Sequence, residues 1–197
     1  MTIAVFFAVL AFAVVNSITP GPNNLMVMAS GANFGLKRTW PHLWGITLGF
    51  AVMVFTLGIA LAGITAIMPT LHVILKVAAV AYMVYLAWKI ANAAPVDDTV
   101  STAQPLTFLQ AAAFQWVNPK AWAGAVTAVA AYAPSGSFIS TFWVGIAFII
   151  AALPSVTLWC VAGQEMRRLL NTPARLRAFN ITMAVLLLLS LIPILML

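Results

Sequence analysis

Two short stretches hold most of the side chains that could bind a small polar molecule: Thr19-Pro20-Gly21-Pro22-Asn23-Asn24 and Asn118-Pro119-Lys120. Each proline lacks a backbone N–H and clashes with the turn before it, while Gly21 lets the chain bend between two of them. A helix that enters either stretch is interrupted. Carbonyls before the interruption lose their partners, and the amides after it open a new helix with free N–H groups. Such an N-terminus carries partial positive charge suited to a carboxylate. Asn23 and Asn24 add donors and acceptors, so the stretch has the means to hold a zwitterion. The plainer reading is a proline kink, but a kink needs one proline, not Pro-Gly-Pro followed by two amides.

The second stretch lies deep in an apolar run. From residue 106 to Lys120 is about 14 residues, or roughly 21 Å of helix, too far for easy snorkelling from the run's start. Asn118 is a natural cap for the helix that Pro119 opens. An ammonium at that depth needs a partner or a wet cavity. Two partners are open to it: a bound carboxylate, or the backbone carbonyls that the break sets free. Lys76 lies early in the third apolar run, on one face with Ala79, Val80 and Met83. It can snorkel outward or contribute to binding, and both readings stand.

What is missing narrows the chemistry. Asp97, Asp98 and Glu165 are the only acids, and all fall between apolar runs. A proton moving through the protein would therefore use a lysine, a histidine or the bound molecule. His42 and His72 sit near the ends of apolar runs, where an interfacial role is expected. Cys160 is the single cysteine, which excludes a dithiol redox relay. Ser17 and Lys120 are conceivable nucleophiles, but no acid or base pair accompanies either. No His/Cys spacing resembles a metal site. The expectation is a protein that is not an enzyme and needs neither cofactor nor metal.

The elements that must position these residues are membrane helices. Of 197 residues, 64% are hydrophobic and only 6% charged, with a mean hydropathy of +1.08. A soluble domain carries nearer a quarter of its residues as charges. The apolar residues amount to about 126, and six spans of roughly 20 would use about 120. Apolar runs fall at about 3–29, 40–62, 70–91, 106–132, 138–162 and 177–197, and the first and fourth hold the two breaks. The fold expected is all-α, six transmembrane helices in one domain spanning 1–197. Gly45 recurs as Gly145 and Ala62-Gly63 as Ala162-Gly163, so each half reads as three spans: a 3+3 inverted repeat with copies at about 1–95 and 105–197 and a linker near 92–105.

Basic residues set the orientation. Lys37, Arg38, Lys89, Arg167, Arg168, Arg175 and Arg177 follow the first, third and fifth spans, and the other turns carry none. Those three loops are expected in the cytoplasm and both termini outside it. A net charge of +6 would suggest nucleic acid in a soluble chain. Beside membrane spans it reads as topology, and lipid is the partner.

The break Ser17-Ile-Thr-Pro-Gly-Pro-Asn23, Gly35, Gly45-xxx-Gly49, Leu75-Lys76-xxxxx-Tyr82 and the Asn118-Pro119-Lys120-Ala121 turn resemble the lysine exporter and homoserine/threonine exporter superfamily over nearly the whole chain. Within it, Pro-Gly-Pro-Asn-Asn, Ala87-Trp88-Lys89-Ile90-Ala91 and Gln115-Trp-Val-Asn118 look most like the cysteine/O-acetylserine branch. Ala79 departs from the glycine many relatives carry there. The resemblance implies export of a small neutral amino acid or derivative (cysteine or O-acetylserine, threonine or homoserine) across the bacterial inner membrane, by exchange with protons, and admits a homodimer. Thr19 to Asn24, Asn118, Pro119, Lys120 and Lys76 would then meet the substrate. Against it stand a passive small-solute channel and a membrane redox or enzymatic protein.

Overall fold

The computed structural model describes residues 1–64, 68–93, 104–133 and 137–192. Among these every regular element is a helix: α1 (Ile3–Ile18), α2 (Pro22–Ile64), α3 (Met68–Ala91), α4 (Phe108–Phe114), α5 (Pro119–Tyr132), α6 (Phe138–Met166) and α7 (Pro173–Leu189), with a 3-10 turn at Gln115–Val117 between α4 and α5. The stretch Pro22–Ala60 and helix Phe138–Met166 are long and apolar enough to cross a membrane, and Ile3–Ile18 and Val77–Ala91 are shorter apolar helices.

α2 is not straight. Gly35 has φ 75° and ψ 168°, a backbone region that residues with a Cβ essentially do not occupy. The hydroxyls of Ser30 and Thr39 meet at 2.8 Å across it, although nine residues of straight helix would hold them about 13 Å apart. The chain therefore reverses at Gly35 and α2 is a helical hairpin with two arms. Gln164 of α6 steadies the turn by accepting from Leu36 N at 2.7 Å.

Contacts along α6 fix directions. Phe6 stacks edgewise on Trp143, Phe12 on Phe148, and Trp159 donates to Ile18 O, so α1 and α6 run the same way. The second arm of α2 runs against α6, with Thr39 bonded to the turn at Gln164 through Gly35, and Gly58 on Thr141 at the far end. Gly45 and Gly49 lie on Phe108, Ala111 and Ala112, which places α4 alongside that arm in the same direction. Two apolar cores result: one around Leu43, Met83, Phe114 and Leu187, the other around Val9, Met53, Ala125 and Phe148. Where lipid replaces water, close packing rather than water exclusion holds such helices together, hence the small residues at the contacts.

Three boundaries differ from the sequence reading. The helix after the first break continues past residue 29 to Gly35, because nothing before that glycine stops it. α6 continues through Gly163 to Met166: that glycine serves close packing on Met28, not a turn. α7 begins at Pro173 rather than Arg177, capped by the Thr172 hydroxyl, which accepts from Arg175 N at 3.3 Å.

Candidate functional site

α1 stops at Ile18, and Thr19 is extended (φ −64°, ψ 143°) as the residue before a proline must be. The carbonyls at its end all find donors. Asn16 O accepts from Thr19 Oγ1 at 3.1 Å, Ser17 O from Asn24 Nδ2 at 2.9 Å, and Ile18 O from Trp159 Nε1 at 3.0 Å. Thr19 O takes both Asn24 Nδ2 at 2.7 Å and Lys120 Nζ at 2.5 Å, and Pro20 O takes Lys120 Nζ at 3.2 Å. Polar backbone groups without water must be paired in this way, and here long-range side chains do it.

The second break has the same ingredients. The Thr107 hydroxyl and Gln110 amide form a capping box that starts α4. The helix tightens through Gln115–Val117, and Asn118 turns extended (φ −88°, ψ 110°) ahead of Pro119. Its side chain accepts from Lys120 N at 3.2 Å, capping α5, while Trp122 Nε1 donates to Trp116 O at 2.8 Å.

The two breaks face one another. Asn23 and Gln115 exchange amide bonds at 2.8 and 3.2 Å, and Gln115 also donates to Ala111 O at 2.9 Å. On the other side Lys120 reaches Thr19, and farther along α5 Gly124 sits on Asn16, where a Cβ would come within 2.7 Å of the amide nitrogen. With Phe12 against Tyr132, the order 12–132, 16–124, 19–120, 23–115 shows the two broken segments crossing antiparallel, break against break. Between them lies a cavity of about 40 Å³ lined on its polar side by Asn16, Ser17, Asn23, Asn24, Asn118 and Lys120, with Phe50 and Val156 also in its wall. A water needs roughly 10–15 Å³ and small-molecule pockets run to several hundred, so this conformation has room for a few waters and not for an amino acid.

The residues singled out in sequence thus gather at one place. Gly21, Pro22, Asn24 and Asn118 are buried, Asn23, Pro119 and Lys120 half-buried, and Thr19 and Pro20 exposed. Of the two partners open to Lys120, the freed carbonyls hold it here. The side chains of Lys76 and His72 in α3, and residues Asp97 and Asp98, lie outside the described residues. The sequence reading passed over Asn16, Gln115 and Trp159 as site residues. Asn16 lies a turn before the break and Gln115 three residues before Asn118, so proximity to a break was the available signal.

His42, expected at an interface, is instead buried within the protein. It is 2% exposed, and neither ring nitrogen has a hydrogen-bond partner among the described residues. Glu165 pairs with Arg168 at 3.0 Å on the surface. No group of His, Cys, Asp or Glu that could hold a metal occurs among the described residues, and Cys160 is buried.

Residues 14–191 match the family described as LysE type translocator. The chain is also 31% identical over 190 residues, 95% of either chain, to a cysteine/O-acetylserine efflux protein of Escherichia coli strain K12, and equally to one of Shigella sonnei strain Ss046. No solved structure matches it.

Proposed function

This chain belongs to the LysE type translocator family, and from that premise we propose that it exports a small neutral amino acid of the cysteine or O-acetylserine kind. The observation that carries the reading is the apposition of the two breaks around a cavity with Asn16, Asn23, Asn118 and Lys120 in its wall, an arrangement suited to a ligand bearing both charges at once. Asn23 and the N-terminus of α2 offer donors to a carboxylate, while Asn24, whose two amide N–H bonds are held by Ser17 O and Thr19 O, shapes the end of α1 that offers carbonyls to an ammonium. The substrate class comes from the relatives, whose names specify cysteine and O-acetylserine efflux.

The architecture proposed is six spans in two inverted copies. The first copy joins α1 and the first arm of α2 as one broken span, then the second arm, then α3. The second copy joins α4 and α5 as a broken span, then α6, then α7. Antiparallel crossing of the broken spans and a small-residue contact behind each support it, and alternating access would follow from one copy rocking against the other. The bonds Leu36 N to Gln164, and Asn180 to both Asn33 and Ala93 O, draw the ends bearing Lys37, Arg38, Lys89 and the four arginines together. That end is the cytoplasmic one on the charge rule, and the membrane is the bacterial inner membrane. His42, buried with both nitrogens unpartnered among the described residues, is the side chain we assign to proton exchange.

Proteoliposomes loaded with radiolabelled cysteine, O-acetylserine, threonine, leucine or lysine test this, with and without a pH gradient. Saturable efflux of a neutral amino acid, accelerated by unlabelled substrate outside, is expected. Flux that never saturates would make the protein a channel, and no flux of any amino acid would sink the substrate class.

A further inference from the structure

The ammonium of Lys120 sits where a free ammonium would bind. Its Nζ donates to Thr19 O at 2.5 Å, Thr19 Oγ1 at 2.8 Å and Pro20 O at 3.2 Å, three oxygens for the three N–H bonds of one –NH₃⁺ group. Thr19 Oγ1 is turned toward the lysine by its own donation to Asn16 O. The oxygens lie at the C-terminal end of α1, where the helix dipole is negative. The stem of the lysine lies on Gly21. A Cβ there would stand 2.7 Å from Cδ and 3.1 Å from Nζ, so the side chain reaches the oxygens only because residue 21 has none of its own.

We propose that these three oxygens are the subsite for the primary ammonium of the substrate, and that Lys120 fills it as a tethered stand-in until a substrate displaces it. The proposal rests on the amino-acid exporter reading above. Displacement leaves a half-buried lysine ammonium without its partners, which is costly in a low-dielectric site. A carboxylate entering the same cavity supplies a new partner. A ligand with both groups therefore exchanges one set of charge pairs for another, and since a zwitterion is neutral the swap needs no proton. A bare amine evicts the lysine and gives it nothing in return. Lys120 thereby selects for an amino acid over its decarboxylated analogue, and holds the site shut between substrates, as the small cavity reflects.

The decisive comparison uses cysteamine, which is cysteine without its carboxylate, and methylammonium as the minimal probe. Wild type, Lys120→Ala and Gly21→Ala are purified in detergent and reconstituted. Gly21→Ala keeps the lysine and its charge but crowds it out of the oxygens. In wild type, cysteamine competes poorly with cysteine. In both variants its inhibition constant should fall by roughly tenfold or more relative to that of cysteine. Methylammonium should raise the melting temperature of both variants and leave wild type unmoved, a reading that survives even if the variants no longer transport. Cysteamine and methylammonium acting alike on wild type and on a folded variant would overturn the proposal. Wild type that moves no amino acid would refute the exporter reading instead, while the methylammonium measurement would still report on the three oxygens.

Discussion

Asn24 and Lys120 do the same job from two sides, donating to carbonyls that proline chemistry has stripped of helical partners. Their contributions should be separable. Asn24→Ala leaves Ser17 O without a donor and removes one of two from Thr19 O, and an orphaned buried acceptor costs about 1–3 kcal/mol. A fall in melting temperature is therefore expected in detergent. Asn24→Asp should be worse, because a carboxylate turned toward two carbonyls can only repel them. Equal stability of wild type and Asn24→Asp would show that the amide is not what closes α1. His42 poses the reverse case. A buried imidazole with two nitrogens unpartnered among the described residues is a cost that an apolar side chain of similar size avoids. His42→Leu should raise the melting temperature, and should abolish the acceleration of efflux by a pH gradient while sparing exchange of labelled for unlabelled substrate. A destabilised His42→Leu would mean that the ring is held by something more than packing.

At the scale of elements, the first arm of α2 crosses α6 with backbone almost on backbone. A Cβ on Gly31 would lie 2.0 Å from Cys160 O, and one on Gly163 2.0 Å from Met28 O, so each helix offers a glycine to the other's carbonyl. Neither obstacle is a flexible side-chain tip. Gly31→Ala and Gly163→Ala must each push the helices apart and strip the surrounding contacts, at about 1–3 kcal/mol apiece. Because both relieve the same contact, the double variant should cost less than the sum of the singles. A strictly additive pair, read from melting temperatures, would show that the two contacts yield independently. The sequence made the breaks legible, since proline and its neighbours act locally: Thr19, Pro22, Asn118 and Pro119 could be assigned before any contact was known. It placed a reversal between the runs ending near 29 and starting near 40 but not its sharpness or its seat at Gly35, because a membrane helix tolerates glycine at many positions and only the Ser30–Thr39 contact shows where the chain turns. Nor did it disclose what Lys120 holds. Its partners stand 101 and 100 residues away, and pattern along the chain carries no information about which of the two acceptors, a bound carboxylate or freed carbonyls, the lysine meets.

Across the whole molecule, the hydrogen bonds that close one end also collect its charge. Asn33 and Asn180 exchange amide bonds at 2.7 and 3.0 Å, and Asn180 reaches Ala93 O, tying the helix just before the Gly35 turn to the end of α3 and to α7. Lys37, Arg38 and Lys89 flank those ties, as do the arginines at 167, 168, 175 and 177. A cluster of that sign is retained on the cytoplasmic side of a bacterial membrane, so the proposed topology puts the opposite end, where α5 gives way to α6, outside. Cys160 is fully buried and should stay silent toward a thiol reagent, which leaves single introduced cysteines readable against it. Ser137→Cys lies at the start of α6, where the serine side chain makes no cap hydrogen bond, and Asn171→Cys at an exposed position between α6 and α7. In intact cells a membrane-impermeant maleimide should modify Ser137→Cys and reach Asn171→Cys only after the membrane is opened. The opposite pattern would invert the protein and turn the positive end outward, against the charge rule. Labelling of both in intact cells would place the two ends on one side, which no odd number of spans between them allows, and the six-span reading would fall with it.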